Sequence, residues 1–288
     1  MPRVISLIAS ATEIVNALGA IDQLVGCSHE CDYPDAVKSL PVCTRPRVPV
    51  DGSSLEIDRL VRESLRTSVS IYDVYDEVIE RLQPSHILTQ IQCEVCAVSL
   101  RDVERAIGRG IHGQPQIVSL QPNSLADIWE DFRRVARALD LEELGDSVVE
   151  KLQARMQRDV RREPRPAVAV VEWIEPLMPA GCWTPELVER AGGNNLDFKN
   201  WDDLHRADVV IIAPCGFDIA RTEGELHWHD WSALPGSVYL ADGNAYFNRP
   251  GPRVVETFEI IEEILHRDIA PRHRGVAWRC YDELERWR

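Results

Sequence analysis

Residues Ser124 to Arg162 read SLADIWEDFRRVARALDLEELGDSVVEKLQARMQRDVRR, and the fold turns on whether this stretch lies on one domain or links two. Ser124 followed by Asp127 has capping-box spacing. Leu125, Ile128, Trp129, Phe132, Val135 and Leu139 recur at three and four residues, so a helix starts here and weakens near Asp140. Val148, Val149, Leu152, Met156 and Val160 carry the same period to Arg162. Glu163-Pro164-Arg165-Pro166 then stops it, because proline lacks the amide and restricts its predecessor. At about 1.5 Å per residue, this second helix is expected to run on the order of 25 Å, as a rigid strut.

The flanking halves resemble each other. Glu13 to Gly19 follows the strand-like Val4 to Ile8, and Glu186 to Gly192 follows Ala167 to Val171 in the same way. Each is a strand, a loop and a helix ended by glycine, the residue suited to the left-handed C-terminal position. Leu82, Ile87, Leu88 and Cys93 match Leu204, Val209, Val210 and Cys215 at identical offsets. Parallel α/β sheets bind ligands at the carboxyl ends of their strands, so two facing lobes would put Cys93 and Cys215 on opposite walls of one cleft. The expectation is α/β: two Rossmann-like lobes, residues 1–122 and 165–288, joined by a helical segment, 123–164, with the ligand cleft between them.

A net charge of −15 argues against nucleic acid and anionic membrane as partners, since both need a basic surface. No apolar run approaches a membrane span, so no membrane insertion is expected. Val4 to Ala11 is apolar, but one basic residue precedes it and Glu13 follows. It makes a poor secretory signal, and a cytoplasmic protein with free thiols is expected, periplasmic only if the start is truncated.

Along the chain, Leu24 to Gly26 reads as a strand whose exit loop carries Cys27, His29, Glu30, Cys31 and Tyr33, a set able to bind metal or simply to make a polar loop. A short helix is expected from Ser54 to about Ser64 and another from Ser70 to Leu82. Cys93-Glu94-Val95-Cys96 is a redox pair, half a zinc site, or two small residues at a helix start. Gly108 to Gly113 fits the dinucleotide fingerprint as a string, yet it follows a helix and precedes the strand Gln116 to Leu120, so it reads as a turn. No phosphate loop, nucleophile elbow or other catalytic set is present. Trp173, Trp183, Phe217, Trp228, Trp231, Tyr246 and Phe247 fall in loops near strand ends, where large rings often serve contact with something flat. A helix is expected from Val254 to His266, with a basic tail wrapping the second lobe.

Ser6 to Glu13 with Leu18-Gly19 and Leu24 to Gly26, the strut, Ala191 to Asn195, and Tyr246 to Arg253 together resemble the cobalamin-binding branch of the helical-backbone, class III substrate-binding proteins of vitamin B12, haem and siderophore importers. The resemblance covers nearly the whole chain. It implies a ligand held between lobes by rings matching Trp173 and Trp231 and by the loop Tyr246 to Arg249. It also implies a transporter-docking glutamate at Glu56 and an ABC transporter permease as possible partner. Two features depart from the family: no signal peptide or lipobox is seen, and about twenty residues are inserted before Leu82 with the Cys93 and Cys96 pair after it. The first sets docking through Glu56 aside for a cytoplasmic chain.

The expected function is therefore binding of a corrinoid, cobalamin or a relative, with haem or an iron siderophore as alternative ligands. A cytoplasmic tetrapyrrole-handling enzyme or carrier is the other alternative. Expected ligand contacts are Ser10, Thr12, His29, Cys31, Tyr33, Cys93 and Cys96 in the first lobe. In the second they are Trp173, Trp183, Cys215, Phe217, Trp231, Tyr246, Phe247 and Arg249. Cys93 and Cys96 are candidate axial ligands of bound cobalt, since a helix N-terminus stabilises a thiolate.

Overall fold

A computed structural model of the chain describes residues 1–66, 71–91, 114–157, 164–266 and 268–285. They form two compact units, Met1–Gly52 with Arg59–Leu152, and Ser53–Asp58 with Gln153–Arg288.

The first unit contains β1 (Val4–Ser6), α1 (Ala9–Ala17), β2 (Leu24–Cys27), β3 (Thr44–Pro46), most of α2 (Ser54–Arg66), β4 (Tyr72–Val74), α3 (Asp76–Leu82), β5 (His86–Gln90), β6 (Gln116–Leu120), α4 (Leu125–Ala138) and most of α5 (Glu142–Arg155). Its main sheet is all parallel in the order β2-β1-β5-β6. Parallel strands covered on both faces read as continuous apolar runs rather than alternating ones, and Val4, Ile5, Ile87 and Leu88 are fully buried. Ile5, Leu7, Ile71, Ile79 and Ile87 form one cluster under this sheet.

Helix α4 opens as its spacing predicts. Ser124 Oγ accepts the Asp127 N–H at 3.2 Å and donates to the Asp127 carboxylate at 2.8 Å. The expected weakening at Asp140 is a break, with Asp140 at φ +58°, and α5 restarts at Glu142. At 14 residues, α5 is about 21 Å long, shorter than the strut expected to Arg162. Residues 158–163 lie outside the described residues. The division between the two units falls within this helix, after Leu152.

The second unit contains β7 (Ala167–Trp173), β8 (Met178–Pro179), α6 (Thr184–Arg190), β9 (Asn194–Asn195), β10 (Val209–Ile212), α7 (Ile219–Glu225), β11 (Ser237–Ala241), α8 (Val254–Leu265), β12 (Trp278–Cys280) and α9 (Tyr281–Glu285). The sheet runs β12-β11-β10-β7-β8, with β9 also beside β7. Strands β9, β7, β10 and β11 are mutually parallel, while β8 and β12 are antiparallel additions.

The repeat read from the sequence is a repeat of topology. The order β9-β7-β10-β11 reproduces β2-β1-β5-β6, and the matched Ile87-Leu88 and Val209-Val210 lie on the equivalent strands β5 and β10. Both repeat helices end alike. Gly19 at φ +67° and Gly192 at φ +90° take the left-handed turn. The next residues then close it, Ala20 N–H to Val15 C=O and Gly193 N–H to Val188 C=O, each at 3.0 Å. A Cβ at Gly19 would meet nothing within 4 Å, so the glycine is required by conformation and not by crowding.

Two readings need correction. The helix expected over Ser70–Leu82 is a strand followed by a shorter helix: Tyr72–Val74 pairs antiparallel with Thr44–Pro46, and Asp73 binds both Arg45 and Arg47. Val74, Val78 and Ile79 fit a helical period, but the aromatic and β-branched pair at 72 and 74 also fits period two, and the partners Arg45 on β3 and Arg47 just after it favour the strand. The tail does more than wrap. Glu263 accepts from Arg272 N–H at 2.7 Å, His273 N–H at 3.1 Å and the Trp278 indole at 2.8 Å, which places Trp278–Cys280 as a strand on β11.

Candidate functional site

Each unit presents a surface at the carboxyl ends of its parallel strands, and most of the expected contact residues stand on the loops that leave those ends.

In the first unit, Ser6 Oγ donates to the Ile8 carbonyl at 2.9 Å and shapes the turn from β1 into α1. Ser10 and Thr12 follow in the first turns of α1 and are buried. The loop after β2 is closed by Cys31 N–H to Ser28 C=O at 3.1 Å, and Thr12 Oγ1 lies 3.0 Å from Cys31 Sγ. Thr44 Oγ1 donates to Ser28 Oγ at 3.3 Å, accepts the His29 N–H at 3.2 Å and sits 2.8 Å from His29 Nδ1. On the other side of the ring, His29 Nε2 lies 3.9 Å from the Glu30 carboxylate. Burial lowers the His29 pKa, which favours the neutral ring. Its face packs against Tyr72, with centroids 5.4 Å apart. Tyr33 is exposed.

The described thiols of this unit are enclosed. Cys27, Cys31 and Cys43 are buried, with Cys27 and Cys31 in side-chain contact. Cys43 is pushed up to about 12, first by burial. Hydrogen bonding to Cys27 and burial raise Cys31 as well. Cys31 and Cys43 therefore stay protonated and do not act as metal ligands without a large cost, while the hydrogen bond with Cys31 lowers Cys27. Among the described residues no three His, Cys, Asp and Glu side chains converge as a metal ion requires. Cys93 and Cys96 lie outside the described residues.

In the second unit the loops after β10 and β11 are tied together. Asn248 Nδ2 donates to the Ala213 and Gly243 carbonyls, both at 3.0 Å, and Asn244 N–H donates to Phe217 C=O at 3.0 Å. Gly243 is forced by proximity, since a Cβ there would stand 2.1 Å from the Pro214 carbonyl oxygen. Trp173 ends β7 partly exposed. Its ring lies 5.3 Å from Phe217, and its indole N–H reaches the carbonyls of Glu175 at 3.1 Å and Ser54 at 3.2 Å. Arg221 covers the Phe217 ring at 3.9 Å, Arg253 lies over Tyr246 at 5.4 Å, and Arg249 donates to Asn244 at 3.0 Å.

The loop aromatics divide. Trp173 and Tyr246 keep exposed surface, as does Cys215, whereas Phe217, Trp183 and Phe247 are buried. Trp231, expected as a contact ring, is 0 % exposed: it packs with Ile174, Leu226 and Leu234, and its indole donates to the Leu226 carbonyl at 3.0 Å. The loop around it folds back onto the sheet, and the ring fills that gap.

Sequence reasoning passed over one cluster. Glu225, at the end of α7, accepts from Ser54 N–H at 2.9 Å, Ser54 Oγ at 2.7 Å and the Trp228 indole at 2.9 Å. Burial alone would raise its pKa, but these donors bring it below the ordinary glutamate value. The first turn of α2, Ser53–Asp58, is thereby part of the second unit, and Glu56 stands exposed on it. Glu172, beside Trp173, is raised by burial against a single opposing bond from Gly181 N–H. Only the spacing of Glu225 three residues before Trp228 hinted at a contact.

No family model and no curated protein matches the chain. Solved structures do. A periplasmic heme binding protein from Pseudomonas aeruginosa superposes with a TM-score of 0.68 at 16% identity, over 94% of this chain and 95% of that one. The periplasmic vitamin B12 binding protein BtuF of Vibrio cholerae gives 0.62 at 20% identity, over 92% and 96%. An ABC transporter substrate-binding protein from Listeria monocytogenes EGD-e gives 0.62 at 18%, over 93% and 99%. The fold is that of the two-lobed class III binding proteins.

The expected cytoplasmic location is corrected by the same comparison. The neighbours from Pseudomonas aeruginosa and Vibrio cholerae are named as periplasmic binding proteins, against that expectation. The earlier expectation rested on the character of the first residues alone, and the same segment is β1 and the start of α1, a buried part of the fold.

Proposed function

We propose that this chain is an extracytoplasmic binding protein for a tetrapyrrole-type ligand, first of all a corrinoid of the cobalamin kind, which it passes to the permease of an ABC transporter. The observation that carries the reading is the likeness in fold, over more than nine-tenths of both chains, to proteins named for binding vitamin B12 and heme. Binding takes place at strand-end loops such as those of the second unit, where Trp173 and Tyr246 offer partly exposed rings and Cys215 a partly exposed thiol. A ligand site of this kind is a mostly apolar surface with a few placed polar groups.

What supports a corrinoid over an anionic ligand is the state of the arginines. Arg221 and Arg253 lie on aromatic rings and Arg249 reaches an amide, so these cations already have partners within the chain. Haem propionates and siderophore carboxylates call for such cations, whereas the peripheral side chains of a corrinoid are mostly neutral amides. The haem reading has its own support in His29, whose imidazole burial holds toward the neutral form that ligates iron. The permease partner rests on the neighbour named as an ABC transporter protein, and exposed Glu56 is the residue proposed to dock.

Absorption spectra recorded during titration with cyanocobalamin, dicyanocobinamide and haemin test the ligand. Saturable shifts with the corrinoids are expected. A shift with haemin alone moves the assignment to haem, and no shift with any of the three overturns the proposal.

A further inference from the structure

Trp173, the last residue of β7, keeps exposed surface while its indole N–H is fixed by two acceptors. It donates to the Glu175 carbonyl at 3.1 Å and to the Ser54 carbonyl at 3.2 Å. Glu175 lies two residues along the same turn, so that bond comes with the local backbone. Ser54 lies 119 positions earlier in the chain, and its bond forms only because Ser54 is itself held in place.

One carboxylate oxygen holds it. Glu225 Oε2 accepts the Ser54 N–H at 2.9 Å, the Ser54 hydroxyl at 2.7 Å and the Trp228 indole at 2.9 Å. Ser54 is fully buried and Glu225 nearly so, which keeps water from competing for these bonds. The Ser54 N–H stands at the start of α2, where an amide has no acceptor within its own helix, and Glu225 completes it. A carboxylate makes such bonds shorter and stronger than a neutral acceptor would. Ser54 is thus gripped at its amide and its hydroxyl, and its carbonyl, which has two lone pairs, is presented to Trp173. Anchoring the turn would be complete at Glu225, whereas the further bond from Trp173 serves the ring. All of these residues belong to the second unit. The ring also meets Phe217, with centroids 5.3 Å apart. That contact limits how far the indole moves, and the hydrogen bond at Nε1 adds the direction in which its edge points.

We infer that Glu225 is the positioning residue for the ring of Trp173, acting through Ser54, so that the ring is set before a ligand arrives. This rests on the reading above that Trp173 contacts the ligand, and deepens it by naming what fixes that contact. A side chain ordered in advance does not have to be immobilised on binding, which is where preorganised sites gain affinity.

The test is a double-mutant cycle in the whole chain, Glu225→Ala against Trp173→Phe, read by calorimetric titration with whichever of cyanocobalamin and haemin the wild type binds. Phenylalanine keeps a ring at 173 and removes the N–H. With Trp173 in place, Glu225→Ala should weaken binding about three- to tenfold, the ordering cost of one side chain. In the Trp173→Phe background it should change affinity by less than about twofold, because the bond it acted through is already gone. Equal losses in both backgrounds would overturn the inference and leave Glu225 as a structural anchor, and so would an unchanged affinity in Glu225→Ala. Should the alanine variant fold poorly, Glu225→Gln, which keeps an oxygen for Ser54 but no charge, takes its place in the cycle with a smaller expected loss. The indole N–H resonance of Trp173 in the ligand-free chain, identified by its absence from Trp173→Phe, gives a second reading. It should shift in Glu225→Gln, and an unmoved resonance would overturn the inference. A wild-type chain that binds neither ligand would instead overturn the functional reading, while that resonance still reports whether Glu225 sets the ring.

Discussion

At the residue scale, chemistry follows enclosure more closely than residue type. Cysteines drew attention in the sequence as candidate ligands, yet the hydrogen bond with Cys27 and burial hold Cys31 as a thiol and burial holds Cys43, while Cys182 stands exposed at φ +53° in the loop before α6. Among the six cysteines of the described residues, iodoacetamide should therefore modify Cys182 first. Cys27, Cys31 and Cys43 should react only after denaturation, which peptide mapping of briefly labelled native protein will show. Early labelling of Cys31 would mean that its loop opens readily. Glycines were legible because their requirement is local: a left-handed residue must end each repeat helix, and Gly19 and Gly192 carry that in one letter. Trp231 was not legible. The sequence shows a ring in a loop, but whether that loop folds onto the sheet depends on Ile174, Leu226 and Leu234, which come together only in the fold.

At the element scale the same tryptophans give opposite expectations. Trp231→Ala should destabilise the protein by about 3–5 kcal/mol, the cost of emptying a core aromatic site, measured by chemical denaturation. Trp173→Ala, whose ring keeps exposed surface, should cost about 1–3 kcal/mol of ligand affinity with a smaller effect on stability. Reversed results would exchange the two roles. The first turn of α2 supplies a third prediction. Glu225 holds Ser54 through both its amide and its hydroxyl, so Glu225→Ala leaves buried donors unmet and should cost about 2–4 kcal/mol. Because its carboxyl titrates below the ordinary glutamate value, this stabilisation is present above that range and is lost as pH falls through it. Unfolding curves of wild type and Glu225→Gln should converge as the medium is acidified, and a constant gap would argue against a charged acceptor there. A contact between residues 171 positions apart could not be read from periodicity. The strand at Tyr72–Val74 was missed for another reason: its apolar residues satisfy both periods, and the decision lies with Arg45 on the neighbouring strand and Arg47 just after it.

For the whole molecule, the architecture was the most legible level, because repeats are read by comparison within the chain and do not depend on any single propensity. Identical offsets around Ile87 and Val209 translate into equivalent strands within two four-strand parallel arrays that share one order of neighbours. Location was the least legible, since it was inferred from a segment whose apolar character serves the core. If the chain works outside the cytoplasm beside a permease, Glu56→Arg should leave ligand affinity unchanged and reduce ligand uptake by cells, measured with labelled cyanocobalamin. The most direct test of the account is calorimetric titration of the purified wild-type chain with cyanocobalamin. A saturable isotherm with one ligand per chain and micromolar or tighter affinity is predicted. The absence of any binding heat at several temperatures, with haemin and dicyanocobinamide equally silent, would contradict it.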